Sequence, residues 1–502
     1  MPKESIYELI SNSLKSDGTL EDTFEFPSEN NINKMNLTLG AMDGIILYHD
    51  AKGHSSITDL IKAIQQIGQE QKAKELTEQY FKTNYTLCII DDIQQWIISN
   101  QKLITPSHLL NFADLLISES TSIEAIKFGL CLLELFDIEH NKEIRKKILT
   151  LASCEEFTIF CVYIISNWSD GNEIIFHLAK KLKGWGKIHS VERLEPVTKE
   201  IKYWMICHGC ENAVLTQYLA PTCAKKIDIL NILNQESLPQ EEFDGISVIL
   251  VTLCQDFGPF ANRFLSLENK EQIIACYINQ AKHIVSNLNQ LSNIILIEEY
   301  LDEMKEKSES IIDSIKKFQE LFSSPLWETK ILSSISKGDS EKAATALQIA
   351  KKLEINLNEK VFELIKQKPF ENYTLVWYLF EYGESYAKKV VNLYESILPL
   401  KEMAKGIDDL VGIGKEYELY SCLNYVLQFL KDYPLLGETL VYYALNCPVI
   451  SCRSLSISTV QEWSKLLKQP VSKFSKRIYE RIQSNASIEI NEGLKTSYSS
   501  FI

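Results

Sequence analysis

A chain of 502 residues with 52 basic and 67 acidic side chains carries a net charge of −15, which works against general binding to nucleic-acid phosphates. Its 45% hydrophobic and 24% charged content is that of a folded globular protein, and 19 glycines with 13 prolines are too few turn formers for a many-stranded β protein of this length. No window approaches 18 uninterrupted apolar residues, and MPKESIYELI lacks the basic patch and apolar run of a secretion signal, so neither a transmembrane helix nor export is expected.

In chain order, residues 1–55 read as an irregular N-terminal cap or arm. A short amphipathic helix opens it and a polar, acidic stretch follows over 16–33. Then TLGAMDGIILYHDAKGHSS sets Gly40, Gly44 and Gly53 around the apolar run 45–48, whose length fits a short strand or a helical turn. From Ser56 the helical period takes over: Ile57, Leu60, Ile61, Ile64 and Ile67 recur on one face. Helices are expected near 86–99, 105–118, 121–136, 140–151, 154–168, 171–183, 185–194 and 197–208. Ser120 and Thr121 are suited to cap the helix that holds Ile126 and Leu130. Asp170-Gly171-Asn172 reads as a turn, and Gly184 and Gly209 fall where a helix end wants a left-handed residue. Lys180, Lys181, Lys183, Lys225 and Lys226 read as solvated helix faces.

Paired helices of this length make a unit of roughly 30–40 residues, the scale of HEAT, armadillo and TPR repeats. The expected fold is therefore all-α: an α-solenoid of antiparallel helix pairs, HEAT/armadillo-like, with one array over 56–305 and a second over 306–502. The charged stretches 303–310 and 336–340, the latter around Lys337, Gly338 and Asp339, are candidate boundaries. In the second array, 338–353 has the small-residue spacing of a TPR-like hairpin (Ala343, Ala346, Ala350). Residues 434–463 look like a HEAT unit, with a Cys447-Pro448 corner between its helices and a second helix running from Arg453 to Trp463.

Three groups could carry chemistry. Cys207, His208, Gly209 and Cys210, with Cys223 downstream, hold a C-x-x-C pair that zinc or thiol exchange could use, but the pair spans a helix end and lacks a second pair, so it reads as a corner with two incidental cysteines. Trp185, His189, Glu192 and Arg193 are helix neighbours and read either as an ion-paired ridge between repeats or as an acid–base site. Asp43, Tyr48, His49, Asp50 and His54 could hold a metal, although no fixed-geometry metal motif is present and a structured loop is the simpler reading. No metal and no cofactor is expected. Twelve cysteines, among them Cys88, Cys131, Cys154, Cys161, Cys254, Cys276 and Cys422 at apolar helical positions, read as free thiols of a cytoplasmic protein.

The stretch GWGKIHSVERL…EIKYWMICHGCENAVLTQYLAPTCA, together with GAMDGIILYH, resembles a family of uncharacterised bacterial helical-repeat proteins, HEAT-like, some of which circulate under a limonene hydroxylase label. The resemblance implies the fold and supplies no catalytic residues, since no flavin, haem or non-haem iron motif is present. The expected function is a protein-interaction scaffold with an unidentified protein partner and no membrane contact. The alternative is an enzyme, hydroxylase included, with a polar site near His49 or His189. A nucleic-acid processor, by analogy with HEAT-like base glycosylases, would need a basic concave groove and is disfavoured by the charge.

Overall fold

The computed structural model describes residues 4–21, 23–27, 37–49, 53, 55–335 and 340–501. Among them there are thirty α-helices and no strand, β-pairing being confined to the isolated bridges Leu14–Leu20 and Leu410–Val449. The chain divides into two compact units, Met1–Ile284 with Asn293–Ile315 and Val285–Ser292 with Lys316–Ile502. No helix among the described residues is long and apolar enough to cross a membrane.

The first unit opens with α1 (Ile6–Asn12), α2 (Ala41–Tyr48), α3 (Thr58–Ile64) and α4 (Glu70–Tyr80). It continues through α5 (Ile90–Ser99), α6 (Pro106–Glu119), α7 (Ile123–Leu133) and α8 (Lys142–Ala152), then α9 (Thr158–Ile165), α10 (Gly171–Lys181), α11 (Trp185–Arg193) and α12 (Lys199–His208). Neighbours in sequence pack on one another, as α3 on α4, α6 on α7, α8 on α9 and α10 on α11, and α9 also touches α7 and α11. Each helix starts and buries for legible reasons. Asn141 and Thr198 cap α8 and α12 by accepting the N–H of Ile144 and Ile201. Along α8, Ile144, Ile148 and Leu151 bury one stripe, whereas every residue of α7 is buried, so α7 lies at the centre of its layer.

Of the two readings open for the apolar run 45–48, the helical one holds, as the run is the end of helix α2. Three local expectations need correction. The cap of α7 is Ser122, which accepts the N–H of Ala125, while Ser120 donates to Glu78 Oε1 and receives the N–H of Ser122. Gly184 (φ −101°) and Gly209 (φ −62°) are not left-handed; they are glycines because of crowding. A Cβ on Gly184 would fall 2.3 Å from Glu155 Oε2, and one on Gly209 would fall 2.5 Å from the Met205 carbonyl oxygen and 2.8 Å from Cys223 Sγ. Lys226 is no solvated face either: its Nζ donates to the carbonyls of Glu192 and Leu194 and to Glu195 Oε1, all at 2.8 Å, and so satisfies the open end of α11.

In the second unit, the helix Ser340–Lys352 packs on Leu326–Ile335 and buries Ala343, Ala346 and Ala350; residues 337–339 lie outside the described residues. Glu438–Ala444 packs on Ile450–Leu467. Arg453 lies three residues into that second helix, fully buried. It donates to both Glu489 oxygens, at 2.9 and 2.8 Å, and to the carbonyls of Asp408, Cys447 and Pro448. Trp463 is fully buried and donates from Nε1 to the Leu430 carbonyl at 2.7 Å.

Candidate functional site

The two stretches that stood out in the sequence, around 40–49 and around 184–193, meet in the first unit. Gly40 has a left-handed φ of +76°, and a Cβ there would lie 2.7 Å from the Glu155 carbonyl oxygen and 3.0 Å from Trp185 Cβ. At Gly44, one turn on, a Cβ would lie 2.3 Å from the Trp185 ring. The glycine face of α2 therefore lies flat on the indole that starts α11. Two adjacent carboxylates hold the pair together. Glu155 accepts the N–H groups of Lys183, Gly184 and Gly186 at 3.0, 2.8 and 3.3 Å, capping α11 from a distance. Glu156 accepts the N–H of Gly40 at 2.7 Å, at the start of α2.

Beneath α2 sits a buried charge cluster. Lys127 Nζ, on α7, lies 2.8 Å from Asp43 Oδ2, 2.9 Å from Glu124 Oε1 and 2.6 Å from Glu156 Oε1. Glu124 also receives the N–H of Thr86 at 2.7 Å. Asp43 Oδ2 is at ion-pair distance, yet neither Asp43 oxygen accepts a well-aligned hydrogen bond. Burial pushes the Asp43 carboxyl up to about 7, against the pull of Lys127 and with help from Glu124 and Glu156. Burial disfavours the Lys127 charge, but the carboxylates of Asp43, Glu124 and Glu156 outweigh it and hold the ammonium well above its usual range.

The C-terminal end of α2 joins an aromatic stack. Tyr48, Trp185 and His189 lie nearly parallel, with Tyr48 5.9 Å from Trp185 at 25° and 6.2 Å from His189 at 10°. Tyr218 closes the group, 5.0 Å from Tyr48 and 4.9 Å from Trp185, and its hydroxyl lies 2.8 Å from His49 Nε2. His189 is buried. Its Nδ1 is 3.7 Å from Glu192 Oε2, longer than a hydrogen bond, and its Nε2 has no hydrogen-bond partner. Burial, then the nearby Glu192 carboxylate, raises the Tyr48 phenol far above its usual range, so it stays protonated.

The expected ridge thus divides. Trp185 and His189 face the stack, Glu192 is beside His189 and Tyr48, and Arg193 lays its guanidinium 3.5 Å over the Tyr163 ring. Asp43 and His49 do not converge on a shared ligand position: Asp43 is held in the charge cluster, while His49 is exposed against Tyr218. Asp50 and His54 lie outside the described residues. Cys207 is half-buried and its Sγ donates to the Glu241 carbonyl at 3.7 Å. Cys210 and Cys223 are buried, and their mutual hydrogen bond, then burial, raises the Cys210 thiol. No group of three or more His, Cys, Asp or Glu placed to hold a metal ion occurs among the described residues.

No protein-family model and no curated protein matches this chain. The site's content therefore rests on its geometry alone. Lys127, Glu124, Glu155, Glu156 and Tyr218 were not singled out in the sequence. A signal for two of them was present, since Glu124 and Lys127 are the charged residues in the otherwise apolar helix IEAIKFGLCLL and stand at i, i+3.

Proposed function

We propose that the protein is a cytoplasmic HEAT/armadillo-like helical-repeat scaffold that binds a protein partner across successive helices, and that it belongs with the bacterial helical-repeat family its sequence resembles. One observation carries this reading. The charged residues that meet the two distinctive stretches are spent on holding helices together: Glu155 and Glu156, from the segment before α9, cap α11 and α2, and Lys127 on α7 binds Asp43 of α2 and Glu156 at one point. Pairwise packing of neighbouring helices in each unit is what such an array requires. The test is affinity capture with the whole chain, followed by rebinding of each captured protein in purified form. Saturable rebinding, kept by a His189→Ala variant that folds, is the expected result. Capture that yields no protein able to rebind defeats the reading.

A second reading, an enzyme centred on His189, is favoured by the buried His189 Nε2 with no partner, beside the protonated Tyr48 and Glu192. It includes the hydroxylase activity by which some look-alikes are labelled. Metal analysis and an absorption spectrum of purified protein address the oxygenase version, and loss of turnover in a stable His189→Ala variant addresses the rest.

A further inference from the structure

The end of α2 with α5, α7 and α9 lines a cavity of about 240 Å³ that is open on one side to solvent. Its walls are apolar, formed by Leu47, Ile90, Ile159 and Phe160, and Cys131 lies at its buried side. Its polar side chains are the half-buried Gln94 and Glu134 and the exposed Asp91 and Tyr163. Gln94 donates from Nε2 to the Cys131 carbonyl at 3.0 Å and to Glu134 Oε2 at 3.1 Å, which fixes the carboxylate at the wall.

The charge here is one-sided. Among the described residues no Lys, Arg or His lines the cavity. Neither Asp91 nor Glu134 forms an ion pair with any described residue. Two described cations that touch lining residues are engaged elsewhere: Lys127, 6.0 Å from the Phe160 ring, has three carboxylates around it, and Arg193 rests on Tyr163. Glu134 also stands at the C-terminal end of α7, the negative pole of that helix, where a cation is favoured and an anion is not. Burial first, and then the Glu134 carboxylate, push the Cys131 thiol up.

We infer that this cavity is a binding site for a small organic ammonium ion. The apolar walls take a short alkyl chain or single aromatic ring, and Glu134 with Asp91 takes the charged nitrogen. The size fits a small occupant, because pockets for drug-sized molecules run to roughly 300–1,000 Å³. A charge-assisted contact in an apolar setting is what separates the cation from a neutral molecule of the same shape. The inference does not rest on the scaffold reading, since it concerns a small ligand in a cavity of its own.

The experiment is calorimetric titration of the whole purified chain at neutral pH and low salt with phenethylammonium, using 2-phenylethanol as the uncharged counterpart. The expected result is roughly tenfold or greater preference for the ammonium. Glu134→Gln, which keeps an acceptor for Gln94, should weaken ammonium binding by roughly tenfold and leave the alcohol unaffected. Leu47→Lys changes a partly exposed wall residue and tethers an ammonium at the rim, so it should block the site while leaving the fold intact. Should Glu134→Gln not fold, Asp91→Asn and Leu47→Lys carry the test. Equal affinity for alcohol and ammonium, unchanged binding in the folded variants, or no binding of phenethylammonium, butylammonium and benzyltrimethylammonium at millimolar concentrations overturns the assignment.

Discussion

Lys127 faces Asp43, Glu124 and Glu156 from a fully buried position, so a neutral replacement strands three carboxyl groups away from water. Lys127→Met is expected to lower stability by about 3–5 kcal/mol, read from chemical denaturation at neutral pH. Asp43 gives the cluster a pH dependence of definite sign. Its carboxyl holds a proton up to about 7 in the folded chain, well above its unfolded value. Between those values the folded state binds the extra proton, so Asp43 makes stability fall as pH rises through the window and level off above it. Asp43→Asn removes that slope. Relative to wild type, the Asn variant should gain stability between about pH 5 and about pH 8, and a difference that does not move with pH would exclude the assignment. Asp43 was legible as unusual because it sits among glycines and histidines. Its partner was not, because Lys127 lies far along the chain and nothing local joins them.

At the scale of elements, the period of apolar residues identifies nearly every helix from 58 to 208, since amphipathic burial acts within a few turns. What it leaves open is contact between distant segments. Gly184 and Gly209 look like helix-ending residues, yet both are glycine because a neighbour's atoms occupy the space of a Cβ. Glu155 and Glu156 look like ordinary charges before a helix, yet each caps a different, distant one. The docking of α2 on α11 is the strongest case. Gly44→Ala puts a methyl where the Trp185 ring stands, at 2.3 Å, and should cost about 1–3 kcal/mol. In hydrogen-exchange measurements the loss should concentrate in α2, with α6 and α7 nearly unchanged. Uniform deprotection of all three helices would mean that α2 is not a separately docked element.

For the whole molecule, composition and charge restrict function more than any single cluster does. At −15 the chain should leave DNA and RNA unshifted in gel mobility assays even at low ionic strength, and a clear shift would return nucleic-acid processing to consideration. The Glu156–Gly40 and Trp185–Gly44 contacts also have a bearing on synthesis. The ribosome releases α2 roughly 140 residues before Trp185 exists, which at about 5–20 residues per second is a wait of roughly 7–28 s. Through that interval the Gly44 face lacks the Trp185 ring it packs against, although Thr86–Cys88 and Lys127, which α2 also meets, are made earlier, and Asp43 starts in water as an ordinary ionised carboxylate. Seating α2 then requires this carboxylate to give up its water and, below about pH 7, to take up a proton. The nascent chain must therefore hold α2 short of its final seat until the indole that receives it has been made.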